Sequence, residues 1–280
     1  MYTPLVDFQG GLLNDPVMLK IAQDCYWFSV SDGDLLLWVK GIAAGYKFDV
    51  NVDEPDVSPL QAQGPNSTKL MAKVFGDWVN GLAFYRFKEI TYEGIPMIIA
   101  RMGYSKELCY EIFLQDHSKG DKLWEILWEA GQDLNISPGS PNIILRLEGG
   151  IVSYLADVDR TNNPYEVGFD SLIDLDQEDE FIGKDALREI NLKGPVKKLV
   201  GAEIQGDPIT IFNEEPWPVL IDGQKVGVMN ALVFSPRLNK NICYVILDIE
   251  HAQIGQEIMI SSPEKELIAI TVDIPWLKRA

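Results

Sequence analysis

The sequence predicts an α+β body followed by a smaller all-β unit, and two observations carry this prediction. Residues 1–194 mix strand-like alternating runs with segments whose apolar residues recur at helical spacing. Residues 196–280 are instead short apolar runs at short, regular spacing, which is typical of a small barrel or sandwich. The turns that divide these runs are Asp222-Gly223, Ser235-Pro236 and Ser262-Pro263. A boundary near Lys193-Gly194-Pro195 therefore predicts two domains, residues 1–194 and 195–280.

Helical spacing and terminal signals predict the helices of the first domain. The clearest one has a stripe formed by Leu123, Ile126, Leu127 and Ala130 and ends at Gly131. The predicted helices cover residues 35–45, 67–75, 121–130, 143–154 and 184–190. The predicted strands cover residues 25–30, 47–52 and 110–113, and a pair, 83–87 and 97–100, flanks a turn at 92–94.

Two adjacent glycines, Gly149 and Gly150, fall inside the helix predicted over 143–154. Each costs roughly 1 kcal/mol relative to alanine within a helix. The pair therefore predicts a position where another backbone or a ligand approaches closely.

Composition excludes several functional classes. A net charge of −18 argues against nucleic-acid binding, which needs a basic surface, and against an anionic membrane surface. No stretch approaches the roughly 20 apolar residues of a membrane span, and no basic segment followed by an apolar run opens the chain. Cys25, Cys109 and Cys243 are odd in number and far apart, which predicts reduced thiols in a cytoplasmic protein.

The scarcity of histidine limits the available chemistry. Only His117 and His251 occur, so a Ser-His-Asp triad or a histidine-rich metal site is hard to assemble, and no metal site is predicted. The chain also has no P-loop and no GxGxxG that opens a helix after a strand. If this chain does chemistry, carboxylates and a cofactor are expected to carry it.

The segment RMGYSKELCYEIF, residues 101–113, holds the most specific pattern. Alternation puts Glu111 and Phe113 on one face of a strand. A carboxylate can accept two parallel hydrogen bonds from a planar heterocycle with an NH–C–NH2 edge, such as a pterin, while the aromatic ring stacks on it. Gly103-Tyr104 is expected to let the backbone approach such a flat ligand.

This segment resembles the signature of the glycine-cleavage T-protein family of tetrahydrofolate-dependent methyltransferases and aminomethyltransferases. Further segments agree in order along the chain: GGLLNDPV (10–17), QAQGPNS (61–67), ILRLEGG (144–150), NNPYEVGFD (162–170) and FIGKDAL (181–187). The resemblance extends from about Gly10 to Trp276. Within the family, residues 14–41 and 54–60 resemble members that demethylate a sulfonium substrate.

The resemblance implies a T-protein-like folate-binding body of two ferredoxin-like halves, followed by a small C-terminal β-barrel. It also implies that the family's segment before Gly10-Gly11 is lacking, so that the first half is expected to be truncated. A homodimer that buries the resulting exposed sheet edge is a further expectation.

The resemblance also implies roles for particular residues. Asp15, which on its own is typical of a turn or cap, matches the aspartate beside the reactive nitrogen of the folate and is the expected catalytic residue. Tetrahydrofolate is the expected cofactor. Its expected contacts are Glu111, Phe113, Tyr104, Arg101 and Arg146, of which Arg146 would take the glutamate tail or a substrate carboxylate.

The remaining expected contacts belong to a small-molecule methyl donor. Ser29 matches a position near the substrate, and Trp27 and Trp38 are proposed as an aromatic wall around a sulfonium cation. The expected reaction moves a methyl group from a donor such as dimethylsulfoniopropionate to N5 of tetrahydrofolate. Three alternatives stay open: an aminomethyltransferase of glycine cleavage, an O-demethylase of methoxylated aromatics, and a folate-binding module without catalysis.

Overall fold

The computed structural model describes residues 1–30, 33–105, 107–211 and 213–277. Its helices are α1 (Leu35–Tyr46), α2 (Ser67–Phe75), α3 (Gly120–Gly131), α4 (Ile143–Glu148) and α5 (Lys184–Lys193). Its first eight strands are β1 (Leu5–Val6), β2 (Leu12–Asn14), β3 (Val17–Ala22), β4 (Cys25–Ser29), β5 (Ser58–Gln63), β6 (Phe87–Tyr92), β7 (Ile95–Ala100) and β8 (Cys109–Leu114). The last six are β9 (Lys197–Ile204), β10 (Trp217–Ile221), β11 (Gln224–Ser235), β12 (Lys240–Asp248), β13 (Glu257–Ser261) and β14 (Glu266–Val272).

These elements form two compact units. One comprises Met1–Gly33 and Ile143–Lys278, and the other comprises Asp34–Asn142. The predicted domain boundary at residues 194 and 195 stays a prediction. Within the described residues, no helix is both long and apolar enough to cross a bilayer.

The second unit is built on a four-stranded antiparallel sheet with the order β5-β8-β7-β6. One face of this sheet packs on α2 and α3 through a core that includes Met71, Ile99, Tyr110, Ile112 and Leu123. Because side chains alternate across a strand, the residues of β8 between those core positions lie on the opposite face. Those residues are Glu111 and Phe113.

The first unit contains a closed antiparallel barrel with the strand order β10-β11-β12-β9-β14-β13, in which β10 pairs with β13. Its interior is apolar and includes Val219, Met229, Val245, Ile260 and Ala269. The barrel predicted for the C-terminal residues is therefore confirmed. The same unit holds two short ladders, β1 with β2 and β3 with β4.

Several predicted elements are confirmed. The helix over 67–75 is α2, and the helices over 35–45, 121–130 and 184–190 correspond to α1, α3 and α5. Glu93 and Gly94 both have positive φ, 48° and 78°, so they form the two-residue loop between β6 and β7. Asp222 and Gly223 make an equivalent turn between β10 and β11.

Three predicted elements are wrong in whole or part. The strand over 47–52 does not form, because Lys47 leaves α1 with a φ of 56° and the following residues pair with no other strand of the described chain. The strand over 83–87 begins only at Phe87, because Tyr85 has a φ of 55°. The helix over 143–154 ends at Glu148, and Gly150 turns the chain with a φ of 66°.

The close approach predicted at Gly149-Gly150 is confirmed. A Cβ at Gly150 would lie 2.8 Å from Cβ of Pro275 and 3.0 Å from its Cα. It is therefore a second stretch of the same chain that comes close to the backbone at this position.

Candidate functional site

Glu111 and Phe113 lie on the same face of β8, as predicted. Glu111 is opposite Ala100 on β7 and Gln61 on β5. Phe113 is buried and lies opposite Ile98 and Pro59. A carboxylate and an aromatic ring are thus fixed side by side by a sheet that pairs on both edges of their strand.

The Glu111 carboxylate is half-buried and pairs with no side chain of the described residues. Among the described residues it makes no hydrogen bond and no ion pair with another side chain. Burial alone raises the pKa of Glu111 to about 7, because loss of water disfavours the charged form. Such a carboxylate can accept hydrogen bonds from a ligand that supplies two donors.

Arg101 and Tyr104 lie in the loop that follows β7. The Arg101 guanidinium donates to the carbonyl oxygen of Leu82 at 3.0 Å and lies 5.9 Å from the centre of the Tyr110 ring. Tyr104 is half-buried. A Cβ at Gly103 would lie 2.3 Å from Sγ of Cys109. The close approach that Gly103 permits is therefore made by the chain's own Cys109.

Asp15 belongs to the other unit, directly after β2. The Tyr2 hydroxyl donates to its Oδ2 at 2.5 Å, and the backbone N–H of Tyr154 also favours its ionised form. Burial raises the pKa of Asp15 to about 6, and the negative charge of Asp157 adds to this rise. The hydrogen bond from Tyr2 and the influence of the Tyr154 backbone N–H offset part of this rise in pKa. At pH 7 the Asp15 carboxyl is consequently ionised in most of the molecules.

The predicted substrate residues fall into two places. Trp27 and Ser29 lie on the same face of the β3–β4 hairpin, opposite Leu19 and Val17, and both are half-buried. Trp38 is half-buried on α1, in the unit formed by Asp34–Asn142. The hairpin therefore brings two of the three residues together.

Arg146 does not have the surroundings predicted for a residue that binds an external carboxylate. Its guanidinium binds both carboxylate oxygens of Asp157 and donates to the carbonyl oxygen of Ile151. The two side chains are 3% and 0% exposed. Since a buried cation needs a counterion, Asp157 supplies the carboxylate that a ligand was expected to bring.

Glu148 lies two residues after Arg146 on α4. It is buried and accepts hydrogen bonds from the Ser235 hydroxyl and the Arg237 guanidinium. The two residues of α4 therefore use different partners, as their spacing of two requires.

Sequence reasoning missed Tyr2 and Asp157, the two side chains that act on the charge of Asp15. Their contacts join segments 13 or more residues apart, which no local periodicity reports. The described residues form, among others, a cavity of about 470 Å³ beside Asp207 and Lys240 and one of about 450 Å³ beside Lys40 and Phe48. Neither is lined by a predicted site residue. No group of three metal-binding side chains is present within the described ranges.

An α+β body followed by a closed six-stranded barrel is the T-protein class of fold. Residues 1–177 match the GCVT N-terminal domain, and residues 197–278 match the glycine cleavage T-protein C-terminal barrel domain. The chain belongs to the glycine cleavage T-protein family, a family of folate-dependent methyl-transfer enzymes.

Similar proteins include members with two different activities. The chain is 40% identical to the dimethylsulfoniopropionate demethylase of Ruegeria pomeroyi over 94% of this chain and 71% of that protein. It is 30% identical to the aminomethyltransferase of Caldanaerobacter subterraneus subsp. tengcongensis over 100% of this chain and 75% of that protein. The crystal structure of glycine cleavage system aminomethyltransferase T from Bartonella henselae has the same fold, with a TM-score of 0.86 at 21% identity, covering 99% of this chain and 76% of that one.

Proposed function

We propose that this protein transfers a methyl group from a sulfonium donor, such as dimethylsulfoniopropionate, to N5 of tetrahydrofolate. The observation that carries the proposal is the half-buried Glu111 carboxylate beside Phe113 on β8, which pairs with no other side chain among the described residues. The 40% identity to a dimethylsulfoniopropionate demethylase supports the choice of donor.

The residues on β8 fit a reduced pterin. Glu111 would accept two hydrogen bonds from the NH–C–NH2 edge, and Phe113 would contact the flat ring. Arg101 and Tyr104 are further proposed contacts in the loop that leads into the same strand. When bound, tetrahydrofolate would supply the nitrogen that accepts the methyl group.

Asp15 fits the charge of the donor. Its carboxylate would stabilise the positive sulfonium and orient it, and the Trp27 ring on the neighbouring hairpin would add cation–π attraction beside Ser29. A sulfonium leaves as a neutral thioether, so the chain need not supply a strong general acid. Alignment of the donor and exclusion of water are then the main contributions of the protein.

The test begins with tetrahydrofolate binding, measured by anaerobic calorimetry, and continues with donor consumption. We expect micromolar binding and the formation of 5-methyltetrahydrofolate together with the demethylated thioether when dimethylsulfoniopropionate is added. Tetrahydrofolate binding without turnover of any donor would instead identify a folate-binding module. Absence of binding would contradict the proposal at its first step.

An aminomethyltransferase is the second possible function, and the 30% identity to such enzymes favours it. One feature favours the demethylase instead. The net charge of −18 is unfavourable for docking an acidic carrier protein. Transfer that occurs only with an aminomethyl-loaded lipoyl carrier would establish this second function and exclude the first.

A further inference from the structure

The Tyr2 hydroxyl makes a short hydrogen bond to the Asp15 carboxylate. The phenol donates to Oδ2 at 2.5 Å across a sequence separation of 13 residues. The Tyr2 ring is itself held in place, since it packs edge-on against Phe169 with 5.5 Å between ring centres and an interplanar angle of 86°. The hydroxyl therefore reaches Asp15 from a ring that is fixed by the core.

The surroundings of Asp15 otherwise disfavour its charge. Burial is the largest influence on its pKa and raises it, and the carboxylate of Asp157 raises it further. The groups that act in the opposite direction are the Tyr2 hydroxyl and backbone N–H groups, including that of Tyr154. Among the described side chains, Tyr2 is thus the group that favours the ionised form, since a donor stabilises a carboxylate more than a carboxylic acid.

We propose that Tyr2 is a positioning residue, whose hydroxyl fixes the Asp15 carboxylate in the ionised, oriented form that faces a cationic substrate. This inference rests on the proposed function, which gives Asp15 its substrate. Tyr2 itself need not touch the donor, because its effect passes through the hydrogen bond to Oδ2.

The test compares Tyr2→Phe with the unaltered protein. Phenylalanine keeps the ring that packs on Phe169 and removes only the donor, so the fold is expected to persist. Tyr26→Phe is the matched control, because Tyr26 is exposed and its hydroxyl donates, among the described residues, only to the carbonyl oxygen of Gln23, at 3.4 Å. The first readout is the ¹³C chemical shift of the Asp15 carboxyl as a function of pH, assigned with Asp15→Asn.

We expect the pKa of Asp15 to rise by about one unit in Tyr2→Phe, the size of one hydrogen bond to a charged group, and to stay unchanged in Tyr26→Phe. The acidic limb of the pH profile of kcat/KM should move by the same amount. With a wild-type pKa of about 6, kcat/KM would fall about threefold at pH 6.5 and hardly at pH 8.5.

A double-mutant cycle supplies the second readout. In the Asp15→Asn background, Tyr2→Phe should have no further effect on kcat/KM. An unchanged Asp15 pKa in folded Tyr2→Phe, or an equal effect of Tyr2→Phe with and without Asp15, would overturn the inference. A wild-type protein that transfers no methyl group would overturn the proposed function, whereas the carboxyl titration would still decide whether Tyr2 controls Asp15.

Discussion

Arg146 and Asp157 form a two-point ion pair from which water is almost wholly excluded. Asp157 also accepts the backbone N–H of Ser153 at 2.7 Å, and its own carbonyl oxygen accepts from the Asn230 side chain. Burial raises the pKa of Asp157, and the guanidinium beside it acts against this rise. The pair therefore joins α4, the loop at 151–157 and strand β11 through one buried charge centre.

Removing one member of this pair should be strongly destabilising. Arg146→Met leaves the Asp157 charge buried without its counterion, so we expect a loss of about 3–5 kcal/mol in the free energy of unfolding, measured with urea. The double variant Arg146→Met, Asp157→Asn should lose clearly less, because no buried charge remains and an oxygen is kept for Ser153.

The exposed pair Lys193–Glu189 is the matched control, with side chains 76% and 71% exposed. Glu189→Ala should change the free energy of unfolding by no more than about 0.5 kcal/mol. An Arg146→Met variant as stable as this control would contradict a structural role for the Arg146 pair.

Tetrahydrofolate affinity should depend on pH through Glu111. The hydrogen-bond donors of the pterin require the ionised carboxylate as their acceptor, and burial raises the pKa of Glu111 to about 7. The carboxyl is therefore mostly protonated at pH 6 and mostly ionised at pH 8, so the Kd should rise about tenfold from pH 8 to pH 6. Calorimetric titrations at several pH values would measure this change.

Glu111→Gln is the control for that dependence. Glutamine keeps the shape of the side chain and cannot titrate, so its affinity should be weaker at pH 8 and should vary little between pH 6 and 8. Affinity at pH 8 equal to that of the unaltered protein would contradict the assignment of Glu111 to the pterin.

The Asp15 and Glu111 carboxyl groups should make the fold less stable at neutral pH than at acidic pH. The folded-state pKa is raised for both, from 3.8 to about 6 for Asp15 and from 4.5 to about 7 for Glu111. Below their unfolded-state pKa values, protonation of both groups therefore stabilises the folded state. This contribution is lost as the pH rises through their folded-state pKa values of about 6 and about 7.

Asp15→Asn and Glu111→Gln are accordingly expected to stabilise the fold at pH 8. The expected gain in the free energy of unfolding is on the order of 1–2 kcal/mol for each variant, after allowance for the partial exposure of both groups. The gain should vanish near pH 4, where the unaltered side chains are protonated. Urea denaturation at pH 4 and pH 8 measures it, and variants that are less stable than the unaltered protein at pH 8 would contradict the raised pKa values.

The sequence supports local predictions far better than long-range ones in this protein. Alternation is sufficient to put Glu111 and Phe113 on one face of β8, because that pattern depends only on neighbouring residues. The partners of Arg146 and Asp15 could not be predicted, because Asp157 and Tyr2 reach them through tertiary contacts. The segment at Gly149-Gly150 is intermediate: the glycine pair predicts a close approach, but only the fold shows that Pro275 makes it and that α4 ends before it.

Substitution of glycine by alanine should have opposite effects at two positions. At Gly150, φ is 66° and a Cβ would lie 2.8 Å from Cβ of Pro275, so alanine adds both backbone strain and a steric clash. We expect Gly150→Ala to lower the free energy of unfolding by about 1–3 kcal/mol.

Gly45 lies within α1 and a Cβ there would meet no atom within 4 Å. Gly45→Ala should therefore raise the free energy of unfolding by up to about 1 kcal/mol, because alanine loses less backbone entropy in a helix. Thermal and urea unfolding of the two variants would measure the difference, and a Gly150→Ala variant as stable as Gly45→Ala would show that the segment around Pro275 is able to move away.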